Sequence, residues 1–211
     1  MIIGTTETTA TTIEWAMAEL ILHPGAMKRV QEELDTVVGA NRLVQESDVP
    51  NLPYLQAFIK EVFRMHPAVP LALPRQSTHA TEFLGFTLPA RTYLILNIFA
   101  IHRDPSVYES PEVFNPERFV GRSEVDQTSA FNSYELMPFS AGRRMCPGYK
   151  LGNLLVSLVL AHLLHSFDWC LPKGRSPESV DMTEAFGAAM PMKTPLSLIA
   201  RPKSPAFLYQ N

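Results

Sequence analysis

The ten residues FSAGRRMCPG at positions 139–148 decide how this chain is interpreted. Cys146 follows two arginines and precedes Pro147 and Gly148, and the chain has only one other cysteine, Cys170. Four roles are open to such a thiol: half of a disulfide, a nucleophile, a metal ligand or a packed core residue. The residues around it must decide between them.

Three of these roles find little support in the sequence. A disulfide to Cys170 needs the two Cα atoms within about 7 Å and an oxidising compartment, which no feature of the chain indicates. Arg143 and Arg144 would favour the nucleophilic thiolate, but no histidine base lies nearby in the sequence. Zinc would need three or four clustered cysteine or histidine ligands. A lone cysteine taken by itself is most often a buried, inert thiol.

An axial thiolate ligand to haem iron needs only one cysteine, and the neighbours of Cys146 suit that role. Arg144 can pair with a haem propionate. Gly142 and Gly148 let the backbone pass close to the macrocycle, and Phe139 can shield the sulfur from water. The start of the next helix would favour the negative charge on the sulfur.

The stretch resembles the haem-binding loop of the cytochrome P450 superfamily. It carries the five fixed residues of the signature FxxGxRxCxG, namely Phe139, Gly142, Arg144, Cys146 and Gly148. Five fixed positions in ten residues make the match specific. The resemblance implies haem b as cofactor, with Cys146 as its iron ligand. It also implies that Arg75, after the stretch PLALP, pairs with a propionate.

Two further motifs follow the order that the superfamily expects. Glu61 and Arg64 resemble its ExxR motif, and their spacing puts both charges on one face of a helix. Alone, such a pair is usually a surface ion pair of small value. Residues 115–119, NPERF, resemble the PERF segment. The resemblance implies a buried triad of Glu61, Arg64 and Arg118 that holds the cysteine loop.

The opening stretch GTTETT, residues 4–9, resembles the oxygen-activating part of the superfamily's I helix. Glu7 occupies the place of the acid and Thr8 that of the alcohol, while Thr5 stands where glycine is usual. The resemblance implies that Glu7 and Thr8 are catalytic and relay protons. By itself, a threonine-rich helix start can equally serve as a cap.

The resemblance also implies where a substrate binds. Three stretches would contact it: the start of the chain, the segment after Pro67, and the C-terminal turn. The expected contacts are Gly4, Thr5, Val69, Leu71, Leu73, Ala188 and Ala189. Small and apolar residues suit a hydrophobic substrate such as a phenylpropanoid, flavonoid, terpenoid or fatty acid. The same residues could equally belong to the core.

The whole chain is predicted to be mainly helical with small β elements, an α+β class. Helices are expected over about residues 1–22, 26–38, 54–66 and 148–166, each bounded by Pro or Gly signals or by the chain start. A β-hairpin is expected around the Leu-Pro-Ala-Arg turn at 88–91, and a long irregular loop over 103–138. Where that loop begins, the His102–Pro105 tetrapeptide is interpreted as a structural turn.

Composition excludes some classes of function. Hydrophobic residues make up 46% of the 211 residues, which is enough for a sizeable core. The formal net charge of −3 gives no basic footprint for nucleic acid. The most apolar stretch, residues 151–167, is interrupted by Asn153, Ser157 and two histidines, so it is expected to be a buried helix.

The resemblance covers nearly all of the chain and is closest to plant microsomal members. It implies one partial P450 domain, residues 1–211, from the I helix to the C-terminal strands, with the N-terminal half absent. The implied function is insertion of one oxygen atom from O2 into a small hydrophobic plant metabolite. Electrons would come from NADPH through a reductase, at the cytosolic face of the endoplasmic reticulum, with the membrane reached only through the missing N-terminal anchor.

Two alternatives stay open at this point. One is a truncated product that binds no haem. The other is a P450-like isomerase or dehydratase that acts on hydroperoxides without oxygen or reductase. Members of that second kind tend to lack the acid and alcohol of the I helix, and this chain has both Glu7 and Thr8.

Overall fold

The computed structural model describes residues 2–122, 125, 134–187 and 189–203. Helices dominate these residues, and short 3₁₀ turns join them. The α-helices of the described ranges are α1 (Ile2–Leu22), α2 (Pro24–Val37), α3 (Pro53–Met65), α4 (Ile98–Ile101) and α5 (Tyr149–Ser166). The 3₁₀ turns there span Glu46–Asn51, Pro116–Phe119, Gly142–Arg144 and Pro177–Ser179.

Proline and glycine set the limits of the longer helices. Helices α2 and α3 each begin with a proline, whose missing N–H has no partner in the first turn. Gly39, with a φ of 75°, follows the end of α2 in the left-handed conformation typical of a helix end. The four long helices agree with the sequence prediction to within two residues.

The hydrophobic core is built around the second half of α1. Trp15, Ala16, Ala18 and Leu20 are almost fully buried on successive faces of this helix, so it passes through the interior. The three other long helices pack against it. They contribute the buried side chains Val30 and Leu34 from α2, Leu55, Phe58 and Val62 from α3, and Leu160 and Leu164 from α5.

Short antiparallel strands complete the architecture, as expected for a mainly helical α+β chain. The strands are β1 (Arg75–Gln76), β2 (Thr81–Phe83), β3 (Phe86–Leu88), β4 (Tyr93–Leu94), β5 (Phe167–Cys170) and β6 (Ile199–Pro202). They form three two-stranded sheets, β1 with β4, β2 with β3, and β5 with β6. The predicted fold class is confirmed.

The position of the hairpin turn differs from the prediction. Strands β2 and β3 pair across Leu84 and Gly85, with Phe83 opposite Phe86. The φ angles of Leu84 and Gly85 are 50° and 81°, as a two-residue hairpin turn of type I′ requires. The Leu-Pro-Ala-Arg stretch at 88–91 instead leads from β3 into β4.

In the described part of the chain, no helix combines the length and the apolar character needed to cross a membrane.

Candidate functional site

The segment containing Cys146 forms a tight loop in front of helix α5. The backbone N–H of Cys146 donates to the carbonyl oxygen of Phe139 at 2.9 Å and closes the loop. The thiol is exposed, and neither Cys146 nor Cys170 is in a disulfide. Helix α5 begins three residues later, at Tyr149, so its unpaired N–H groups lie close in the chain to the sulfur. The interpretations of Cys146 as a disulfide or a buried core thiol are therefore wrong.

Two glycines let the loop take this shape. Gly142 has a φ of 74°, a left-handed value that a side chain rarely allows. A Cβ at Gly152 of α5 would lie 3.3 Å from the ring of Phe139, so glycine makes room for that ring. Phe139 also packs edge-on against Phe63 of α3, with ring centroids 5.4 Å apart. The Phe139 ring is thus held between α3 and α5.

Arg75 reaches the cysteine loop from strand β1. Its Nη2 donates to Ser140 Oγ at 2.6 Å and to the carbonyl oxygen of Ala141 at 3.1 Å. Arg144 is exposed within the loop itself. The half-buried Arg75 and the exposed Arg144 therefore both place a guanidinium at the loop that carries the thiol.

The donor set of this loop suits haem better than it suits a bare metal ion. Within the described ranges, no three His, Cys, Asp or Glu side chains are grouped so that they could hold a metal. One accessible thiol would provide a single axial ligand, and two guanidiniums would provide partners for two carboxylates. The side chains of Cys146, Arg75 and Arg144 therefore fit a haem, with its one iron and two propionates.

Glu61 and Arg64 form a buried ion pair on helix α3. Arg64 Nε donates to Glu61 Oε2 at 2.7 Å and Nη2 donates to Oε1 at 2.8 Å, and both side chains have no exposed surface. Arg118 Nε adds a contact to Glu61 Oε1 at 3.2 Å, and the backbone N–H of Asn115 donates to the same oxygen at 2.7 Å. The carboxylate is therefore fully used, as a buried charge requires.

The two arginines also bind the main chain of the long connection after α4. Arg64 Nη1 donates to the carbonyl oxygens of His102 and Pro111, at 3.0 and 2.7 Å. Arg118 Nη2 donates to the carbonyl oxygens of Ser110 and Val113, at 2.8 and 3.0 Å. These bonds hold an otherwise irregular segment against α3, close to where the cysteine loop begins.

His102 anchors the start of the cysteine loop through its side chain. Its Nε2 accepts a hydrogen bond of 2.9 Å from the backbone N–H of Met137. Burial, together with the charge of Arg64, lowers the pKa of His102 to about 3. The imidazole is therefore neutral, with its proton on Nδ1. The sequence had indicated only a structural turn here and not this buried acceptor.

The predicted acid and alcohol of α1 point to different surroundings. Thr8 Oγ1 donates to the carbonyl oxygen of Gly4 at 3.0 Å, one turn earlier. Consecutive helix residues are rotated by about 100°, so Glu7 lies on another face. There it lines an open cavity of about 620 Å³ on the side of α5 and β5. Other lining residues are Ala10, Thr11, Glu14, Met17, Leu163 and Leu198.

The predicted substrate residues are placed on several surfaces. Gly4, Leu71 and Leu73 are exposed, the last with 79% of its surface accessible. Val69 is half-buried and Ala189 is buried. Ala188 lies outside the described residues, as does the side chain of Thr5. The backbone N–H of Met190 donates to the Ala68 carbonyl oxygen at 3.0 Å, so two of the predicted stretches adjoin.

A buried polar group that belongs to no sequence motif lies next to these stretches. Glu19 Oε1 lies 2.7 Å from His66 Nε2, and Trp15 Nε1 donates to the Met190 carbonyl oxygen at 2.8 Å. Trp15 and Glu19 are one helical turn apart, and His66 follows Arg64 by two residues. That spacing was the only signal in the sequence.

Comparison with known proteins gives consistent matches. A family model described as Cytochrome P450 matches residues 1–198. The chain is 48% identical over 204 residues to Flavonoid 3',5'-hydroxylase of Campanula medium, covering 97% of this chain and 39% of that protein. It is 51% identical over 185 residues to Cytochrome P450 76C4 of Arabidopsis thaliana, covering 88% and 36% respectively.

Solved structures show the same likeness. A zebra fish cytochrome P450 with abiraterone matches with a TM-score of 0.82 at 34% identity, over 93% of this chain and 44% of that one. A second, with progesterone, matches with a TM-score of 0.83 at 33% identity, over 96% and 44%. The chain spans less than half the length of these curated relatives and solved structures.

Proposed function

The chain belongs to the cytochrome P450 family, and on that premise we propose that it provides the cysteine-ligand side of a haem-thiolate monooxygenase. The reaction would insert one atom of O2 into a hydrophobic substrate and reduce the other atom to water. NADPH would supply the two electrons through a reductase. The observation that carries this proposal is the exposed thiol of Cys146, held in a closed loop beside two arginines.

We further propose a flavonoid-like plant metabolite as the substrate class. The support is the printed function of relatives such as the flavonoid hydroxylases of Campanula medium and Oryza sativa. The expected contacts are small or apolar: Gly4, Thr5, Val69, Leu71, Leu73, Ala188 and Ala189. They suit a flat, largely apolar molecule.

The cysteine loop would bind and orient the cofactor. Haem, when bound, supplies the activation of O2 that protein side chains lack. Cys146 would ligate the iron, and N–H groups at the start of α5 would stabilise the negative sulfur. Arg144 and Arg75 would each pair with a propionate. Phe139, fixed between α3 and α5, would keep water from the sulfur.

Thr8 and Glu7 would move protons from solvent toward the side of the site where the substrate binds. The Thr8 hydroxyl donates its own proton to the Gly4 carbonyl, so its oxygen can accept a hydrogen bond from water. Glu7 is exposed and can exchange protons with solvent. Because the two side chains lie on different faces of α1, a relay between them would need a bridging water.

The partner and location are proposed with the reaction. Arg143 and Lys150 are exposed on either side of Cys146 in the sequence and could meet an acidic reductase surface. The proposed location is the cytosolic face of the endoplasmic reticulum membrane. We also propose that residues 1–211 are the C-terminal portion of one P450 domain, with Glu61, Arg64 and Arg118 as its structural triad.

The proposal can be tested by a carbon monoxide difference spectrum of the reduced, haem-loaded protein. We expect a thiolate-type Soret band in the natural sequence and its loss in Cys146→Ser. Cys170→Ser is the matched control, because it removes the other thiol and should leave the band unchanged. No haem uptake by the natural sequence, or an unchanged band in Cys146→Ser, would contradict the proposal. Turnover of a hydroperoxide without NADPH would instead indicate an isomerase or dehydratase.

A further inference from the structure

A closed ring of contacts joins helix α1, the residues 66–68 that follow α3, and Met190 in the C-terminal segment. Trp15 Nε1 donates to the Met190 carbonyl oxygen at 2.8 Å, and the Met190 N–H donates to the Ala68 carbonyl oxygen at 3.0 Å. Ala68 follows His66 by two residues. The imidazole of His66 stacks on the Trp15 indole, with centroids 4.2 Å apart and planes 4° apart, which closes the ring.

Glu19 fixes the orientation of the stacked imidazole. Its Oε1 lies 2.7 Å from His66 Nε2, and its Oε2 lies 3.1 Å from His23 Nδ1. Glu19 and His66 are 4% and 9% exposed, so little water competes for the carboxylate. A buried carboxylate without hydrogen-bond donors is strongly unfavourable. Rotation of the His66 imidazole away from Glu19 would therefore cost free energy, and the contact keeps the imidazole in place.

This ring of contacts includes the backbone of Ala68 and Met190, which adjoin two of the proposed substrate stretches in the sequence. Residues 69–73 directly follow Ala68, and Ala188 and Ala189 directly precede Met190. The third stretch lies at the start of α1, two to three turns before Trp15. A movement of Trp15 would therefore shift the spacing among all three stretches.

Apolar packing alone does not account for the hydrogen bonds in this ring of contacts. An apolar contact between α1 and the C-terminal segment would need only the area of the indole. Here the indole N–H satisfies a carbonyl 175 residues away, and that same residue is bonded through its N–H to Ala68. The segment is thus held by directional bonds to both the N–H and the carbonyl oxygen of one residue, Met190.

We propose that Trp15 is a positioning residue, with Glu19 and His66 behind it, that sets the spacing between residues 68–73 and residues 189–190. It would thereby set the shape of the substrate cavity without touching the substrate. The identity of the cavity rests on the proposed function. The positioning of the two segments does not, because it is a property of the chain without cofactor.

Amide hydrogen exchange of the 211-residue chain tests the positioning. In Trp15→Phe, which keeps an aromatic ring but loses the N–H, we expect exchange in residues 184–192 to be about fivefold faster, the usual effect of one hydrogen bond. Trp169→Phe is the matched control, because Trp169 Nε1 also donates to a carbonyl oxygen, that of Leu163, at 2.9 Å. It should leave residues 184–192 unchanged.

A second pair of variants tests the role of Glu19 through its donor. In His66→Gln the side-chain amide can still donate to Glu19, whereas in His66→Leu it cannot. We expect the glutamine variant to keep most of the protection of residues 184–192, and the leucine variant to lose it. Equal loss in both variants would contradict a role for the Glu19 contact.

The outcomes separate this inference from the proposed function. Equal exchange of residues 184–192 in Trp15→Phe and Trp169→Phe would overturn the positioning role, and so would a uniform rise in all helices. In haem-loaded protein, spectral titration with the flavanone naringenin should show about fivefold weaker binding in Trp15→Phe alone. Unchanged binding with a loosened segment would overturn the effect on the cavity. Absence of haem uptake would count against the proposed function, and the exchange data would still decide the positioning.

Discussion

At the scale of single residues, the surroundings of His102 hold its side chain in one protonation state. The imidazole is buried and accepts a hydrogen bond from Met137, so a proton on Nε2 would break that bond. Burial and the charge of Arg64 lower its pKa from 6.5 to about 3. The neutral ring is therefore a fixed acceptor that fastens the segment before the cysteine loop.

The depressed pKa of His102 makes stability depend on pH with a definite sign. Below its ordinary pKa of 6.5, the unfolded chain binds a proton that the folded chain does not. The contribution of His102 is thus complete above pH 6.5 and is lost as the pH falls toward about 3. We expect it to lower the free energy of unfolding by up to about 4 kcal/mol across that range. Urea titrations at a series of pH values measure it.

His102→Gln serves as the control for that dependence. Glutamine can accept from the Met137 N–H but does not titrate. This variant should be less sensitive to pH between 6.5 and 3 than the natural sequence. An identical pH profile in both proteins would contradict the assignment.

The family could be predicted from the cysteine loop because the signal of this loop is local. Five fixed positions fall within ten residues, and the match to the cytochrome P450 family is confirmed. The acceptor role of His102 could not be predicted, because its partner Met137 is 35 residues away and contributes only a backbone N–H. No side-chain pattern encodes such a partner.

At the scale of elements, Arg64 and Arg118 order the connection between α4 and the cysteine loop. We expect Arg64→Ala to lower the free energy of unfolding by about 3–5 kcal/mol, because it leaves Glu61 buried with fewer partners. Arg29→Ala is the control: its ion pair with Glu117 is half exposed on both sides and should contribute at most about 1 kcal/mol. Chemical denaturation with both variants measures the difference.

A comparable loss in the two variants would contradict the importance of burial for the Glu61 pair. Exchange of amides in residues 109–113 offers a second reading. It should rise in Arg64→Ala and not in Arg29→Ala, since Arg64, unlike Arg29, binds carbonyl oxygens of that segment.

The elements differ in how far the sequence predicts them. Helices α2 and α3 are bounded by Pro24, Gly39, Pro53 and Pro67, so their limits follow from local chemistry. The hairpin turn was misplaced because Leu-Pro-Ala-Arg has stronger turn residues than Leu84-Gly85. Strand pairing decides between such candidates, and the two positive φ angles at Leu84 and Gly85 fit the strand twist.

At the scale of the whole molecule, one hydrophobic cluster joins α1, α2, α3 and α5. Leu34 of α2 and Leu164 of α5 are fully buried in it, on different helices. We expect Leu34→Ala and Leu164→Ala each to lower the free energy of unfolding by about 2–5 kcal/mol. Leu84→Ala, at a site with 82% exposure, should have little effect.

The same variants test whether the cluster unfolds as one unit. Tryptophan fluorescence reports on Trp15 in α1 and on Trp169 in β5, and far-ultraviolet circular dichroism reports on all helices. Coincident transitions by both probes, shifted together in each variant, are expected for one cooperative core. Two separate transitions would contradict it.

At this scale, long-range polar contacts could not be predicted from the sequence. Trp15 and Met190 are 175 residues apart, and Glu19 and His66 are 47 apart. Neither pair has a motif, because the fold, and not the local chain, brings them together. The motifs predict the cysteine loop, whereas the contacts among Trp15, His66 and Met190 can be found only from the three-dimensional structure.

The hold of Arg64 and Arg118 on the segment 109–113 bears on how freely that segment can evolve. Both guanidiniums bind its carbonyl oxygens, which every amino acid carries, and its side chains at Glu109 and Val113 face solvent. A saturation library should therefore tolerate most substitutions at these two positions and very few at Glu61 or Arg64. The backbone of residues 109–113 can therefore keep its conformation while the exposed side chains of the segment vary.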